Sequence, residues 1–101
     1  MERAVRELYD EKVISLEPEG VPAQEVRGLQ NVIKKGQQFN EMVELVHGYE
    51  ISNPIIAENF FSCSMKMDLT FKGASRSTIE EICVYHVIDG KIVQEQFFYD
   101  M

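Results

Sequence analysis

The chain has 101 residues, ten Lys+Arg against seventeen Asp+Glu, a net charge of −7 and 45% hydrophobic residues. One domain spanning 1–101 with a single core is what this length allows, and the composition is not that of a disordered chain. The acidic balance repels nucleic acid and anionic membranes, and no apolar run approaches the ~20 residues of a membrane helix.

The elements follow in chain order. Val5, Leu8 and Tyr9 fall at i, i+3, i+4, predicting a short helix from Glu2 to Tyr9. Val13 to Glu17 reads as a strand, stopped by Pro18, Gly20 and Pro22. Leu29, Val32, Ile33, Gly36 and Phe39 recur at helical spacing between Gln24 and Asn40, with polar residues opposite them. From Leu45 the period changes to two. Strands are predicted over Leu45–Ile51, Phe61–Phe71, Ile79–Ile88 and Lys91–Tyr99, separated by Ser52-Asn53-Pro54, Lys72-Gly73-Ala74-Ser75 and Asp89-Gly90. Strands in a meander with helices on one face define an α+β class.

The last turn decides which side chains share a face. A three-residue loop Ile88-Asp89-Gly90 pairs Tyr85 with Val93 and Cys83 with Glu95. One face then holds Glu81, Cys83, Tyr85, Val87, Val93, Glu95, Phe97 and Tyr99. The other holds Glu80, Ile82, Val84, His86, Ile92, Gln94, Gln96 and Phe98. A two-residue loop places Glu95 beside His86 instead.

On the first face, Glu81 and Glu95 stand among mostly apolar neighbours. Desolvation there disfavours a charged carboxyl and suits it to proton transfer; a nearby Tyr85 hydroxyl is placed to donate to a developing oxyanion. Solvation at a strand end, or pairing with Arg76 or Lys66, is the plainer reading of both acids. His47 alternates with Leu45, Tyr49 and Ile51, as a pocket base or as a satisfied core histidine. Glu17 sits at the rim, and Met65 is either a cavity wall or ordinary core. Cys83 lacks a positioned base and reads as an inert buried thiol. Two His and two Cys without HExxH or paired-Cys spacing predict no metal, and no phosphate loop is present. The isolated cysteines suit a reduced, cytoplasmic compartment. Ile82, Val84, Ile92 and Phe98 need cover on the second face, which a homodimer through the sheet would supply.

Tyr9-Asp10-Glu11-Lys12-Val13-Ile14-Ser15-Leu16-Glu17-Pro18 followed by Val26-Arg27-Gly28-Leu29, with the tail Glu80–Tyr85, Asp89–Val93 and Phe97–Tyr99, resembles the SnoaL-like branch of the nuclear-transport-factor-2-like superfamily. The resemblance runs from Arg6 to Met101. It implies a cone-shaped curved antiparallel sheet wrapped around helices, a pocket at the wide end and a homodimer through the convex sheet faces. The family's long first helix is missing ahead of Ala4–Asp10, which implies a shallower, more open pocket. Members include polyketide cyclases, ketosteroid isomerases, epoxide hydrolases and dehydratases, so the fold does not give the reaction. The expectation is a small hydrophobic ligand handled without a cofactor, by isomerisation, cyclisation or dehydration. Glu81 or Glu95 would be the base, Tyr85 the donor and His47 a helper, with Tyr9, Glu17, Met65 and Phe97 contacting the ligand. A non-catalytic ligand-binding or protein-interaction module is the alternative.

Overall fold

The computed structural model describes residues 2–100. Helix α1 (Glu2–Leu8) leads directly into strand β1 (Tyr9–Leu16). Then come β2 (Glu25–Arg27), α2 (Leu29–Met42), β3 (Val43–Ile51), β4 (Ile55–Ala57), β5 (Phe60–Phe71), β6 (Arg76–Ile88) and β7 (Lys91–Phe98). The strands form one curved, open sheet in the order β2-β1-β7-β6-β5-β3, with β4 also on β5. The α+β class and the curved sheet agree with expectation; the sheet, however, is mixed. Strand β1 runs parallel to β7, pairing Ser15 with Glu95, while every other pairing is antiparallel.

Two boundaries move for the same reason, a sheet partner that no local periodicity can show. Tyr9 belongs to β1 because it pairs with Ile92. Residues Glu25–Arg27 form an edge strand on β1 instead of the first turn of a helix, and Gly28, at φ 91°, turns the chain into α2. Helix α2 buries Val32 and Ile33, spaced to face the sheet. Val32 packs with Val13 and Ile92, and Tyr9, Val26, Leu29, Phe61, Tyr85 and Val87 close around this core.

The last hairpin differs from expectation. Ile88 pairs with Lys91 across a two-residue turn, in which Asp89 and Gly90 both take positive φ (51° and 77°), a type I′ geometry matched to strand twist. A bulge between His86 and Val87 then absorbs Val93, so Tyr85 faces Glu95 and Cys83 faces Phe97. The bulge preserves the shared face of Tyr85, Glu95, Cys83 and Phe97, although the individual partners are shifted. It also turns Ile92 into the core, away from Ile82, Val84 and Phe98.

Helix α2 contacts chiefly β1, so the far end of the sheet lacks cover. Ile55 and Ile56 are 74% and 72% exposed. No helix of the described residues is long and apolar enough to cross a membrane.

Candidate functional site

On the helix-covered face, β1, β6 and β7 bring polar groups from distant parts of the chain together. Glu95 is buried, 7% exposed, and both its carboxyl oxygens are occupied. The Tyr9 hydroxyl donates to Oε1, and the Ser15 hydroxyl donates to Oε2 at 2.6 Å. The parallel register of β1 and β7, which sets Ser15 beside Glu95, produces the second bond. Lys35 reaches across from α2 and donates to Ser15 Oγ at 2.8 Å. Its ammonium also pairs with Glu17 Oε1 at 2.8 Å and lies 5.4 Å from the centre of the Phe97 ring. Glu17 Oε2 is buried without a hydrogen-bond partner. Burial, and then the Glu17 carboxyl, push the Tyr99 phenol up to about 12. Burial, and then the Glu95 charge, also hold Tyr9 in its protonated, donating form.

Tyr85 stacks on Phe61, ring centres 4.7 Å apart. Burial raises its pKa too. The Cys83 thiol, fully buried and pushed up to about 12 by burial and the nearby Glu81 charge, donates weakly to Glu81 Oε1 at 3.7 Å. Glu81 has no stronger partner among its described contacts. Desolvation raises its carboxyl above the ordinary range, only partly countered by the thiol. It does not pair with Arg76 or Lys66: Arg76 clamps Asp68 with two bonds, and Lys66 lies 4.0 Å from Glu80.

A depression of about 930 Å³ is an open groove at the strand ends rather than an enclosed cavity around Glu95. Glu81 and Tyr99 line it with Pro18, Met65, Ile82 and Phe98. The structure thus divides the expected site in two. Tyr9, Glu95 and Tyr85 belong to a buried layer, and Phe97 lies beneath Lys35. Glu81 and Met65 border the groove, and Glu17 stays with Lys35 on the buried side.

His47 joins neither region. It falls at a bulge in β3, is exposed, and bonds to Thr70 Oγ1 at 2.7 Å, so the expected helper points away from the acids. The bulge breaks the alternation on which that expectation rested. His86 stacks on its cross-strand neighbour Phe60, ring centres 4.3 Å apart.

Sequence reasoning missed Ser15, Lys35 and Tyr99 as members of the network. Lys35 follows buried Val32 by three positions, one turn along the same face; that spacing was the available signal. No group of His, Cys, Asp and Glu able to hold a metal occurs among the described residues.

A curved sheet covered on one face by a helix, with an acid-bearing groove at its open end, is the architecture of the cone-shaped α+β domains. The chain belongs to the SnoaL-like domain family, whose model matches residues 2–99. A Mesorhizobium loti protein described as a SnoaL-like polyketide cyclase is 30% identical, with a TM-score of 0.90, over 96% of this chain and 83% of that one. An NTF2-like protein of unknown function from Burkholderia pseudomallei superposes with a TM-score of 0.85 at 14% identity, over 98% and 78% of the two chains. A ketosteroid isomerase-like fold from Catenulispora acidiphila, in complex with trimethylamine, gives 0.83 at 15% identity, over 99% and 75%. The last two likenesses show the fold alone. No curated protein matches the chain.

Proposed function

We propose that the protein binds a small, largely apolar carbonyl compound in the strand-end groove and moves a proton on it without a cofactor, with Glu81 as base. The observation that carries this reading is the contrast between the two acids. Both oxygens of Glu95 are already taken by hydroxyl donors, whereas Glu81 lines the groove, is half-buried and holds only a weak thiol contact. A desolvated carboxyl with free acceptor capacity is suited to abstract and return a proton near neutral pH. Pro18 and Met65 supply apolar walls, and Tyr99 the phenol at the rim. Glu95, Tyr9 and Ser15 act behind this, fixing β1 against β7. The similarity to the Mesorhizobium loti protein supports a cyclase-like reaction class.

A homodimer through the opposite sheet face belongs to the same proposal. Ile82 and Phe98 are 53% and 47% exposed there, beside Phe60 at 46%, and a monomer rarely leaves such a patch open. The two free thiols suit a reducing, cytoplasmic setting.

Deuterium uptake at the α-carbon of α-tetralone, followed by NMR, tests the chemistry without knowledge of the natural substrate. Wild-type protein should accelerate exchange by about 10²-fold or more, a modest general-base effect, and Glu81→Gln should abolish it with the fold intact by circular dichroism. Binding of the ketone without any acceleration assigns the groove to a non-catalytic binding module instead.

A further inference from the structure

Cys63 on β5 and Cys83 on β6 are direct cross-strand partners, and both are free. Their register is firmly held. Phe61 stacks on Tyr85 and Phe60 on His86 immediately to one side, and these pairs prevent a slip that would separate the sulfurs. Directly opposed residues of an antiparallel pair place their Cβ atoms about 4.5–5.5 Å apart. A disulfide needs about 3.5–4.5 Å, so the strands must approach by roughly 1 Å.

Strand β5 has no ladder partner on its outer edge at Cys63. Its outer edge is paired with β4 up to Ser62 and with β3 from Met65 onward. Cys63 falls in the gap between them, beside Ser64, which exchanges two hydrogen bonds with Ser52. The two thiols also differ in access: Cys63 is half-buried, whereas Cys83 is closed off.

We propose that Cys63 and Cys83 form a peroxide-sensitive dithiol that closes reversibly into a cross-strand disulfide. The accessible Cys63 thiol is oxidised first. A peroxide ROOH transfers one oxygen to its sulfur, giving Cys63–SOH and ROH. Glu81, whose Oε1 lies 3.7 Å from Cys83 Sγ, takes the Cys83 proton as that sulfur attacks the sulfenic sulfur. The S–S bond forms, the S–OH bond breaks, and hydroxide leaves with the proton as water. Because closure pulls two strands together, the bond is strained and readily reduced, the character of a labile disulfide rather than a structural one.

The test is intact-mass analysis of the full chain after stoichiometric hydrogen peroxide, followed by non-reducing peptide mapping. The expected product has lost two hydrogens, contains one Cys63–Cys83 linkage, and returns to the starting mass with dithiothreitol. In Cys83→Ser, Cys63 has no resolving partner and should instead collect two or three oxygens. Stable sulfinic acid on Cys63 of the wild-type protein, Cys63–Cys63 linkage between chains, or two untouched thiols would each overturn the proposal. Glu81→Gln should slow closure without changing the first oxidation step; an equal closure rate removes Glu81 from the reaction.

Discussion

The Lys35 ammonium on α2 donates to the Ser15 hydroxyl on β1 at 2.8 Å, and Ser15 in turn donates to Glu95 on β7. One short polar chain therefore joins the helix to two parallel strands whose residues are far apart in sequence. Such links raise the stakes of single substitutions, because a buried group that loses its partner keeps its desolvation cost.

Ser15→Ala should lower stability by about 1–3 kcal/mol, the cost of leaving a buried acceptor unsatisfied. Lys35→Met should cost more, about 3–5 kcal/mol, since Glu17 then stays in place without the cation that compensates it. Urea unfolding at neutral pH reads both values. Equal, negligible losses would show that the Glu17–Lys35–Ser15–Glu95 chain contributes nothing to the fold.

Val84 lies on the sheet face away from α2, beside the exposed side chains of Ile82 and Phe98. Val84→Asp puts a charge in the proposed interface. Sedimentation should then show a monomer where the wild type shows a dimer, with the circular dichroism unchanged. A wild-type monomer, or a variant that stays dimeric, excludes this interface.

Most of the sheet was legible because period-two alternation in Phe61–Phe71 and Ile79–Ile88 reports a half-buried strand directly. What was hidden depended on partners distant in sequence. Glu25–Arg27 becomes a strand only because β1 lies beside it, and Tyr9 leaves its helical stripe to pair with Ile92. The face shared by Glu81, Tyr85 and Glu95 was expected from a three-residue loop, and it holds because the bulge at His86–Val87 offsets the two-residue turn. That Glu95 is enclosed while Glu81 meets the groove was not, since enclosure follows from Tyr9 and Ser15 arriving with the parallel β1 strand. His47 was misread because a bulge is invisible to alternation.

The Asp89-Gly90 turn offers a test of its backbone conformation. A Cβ at Gly90 would meet nothing within 4 Å, so the cost of Gly90→Ala is the backbone cost of φ 77° alone. That is about 1–2 kcal/mol for an L-residue. Thermal unfolding should show that loss with the native spectrum retained. A neutral substitution would mean that Gly90 does not hold a left-handed conformation in this turn.

Glu81 gives the pH dependence its sign. Desolvation raises its folded pKa above the unfolded value of about 4.3, so between the two the native state binds more proton than the unfolded chain. Stability associated with this group is therefore complete below the ordinary carboxylate range and declines as pH rises through the raised value. Glu81→Gln removes the titration while keeping the shape. The difference between wild-type and variant urea midpoints should consequently drift against the wild type from about pH 4 upward and level off once Glu81 is ionised. A difference that stays flat, or drifts in the wild type's favour, would place the Glu81 carboxyl in water rather than against the desolvating wall of Met65 and Cys83, and would take with it the base proposed for the groove.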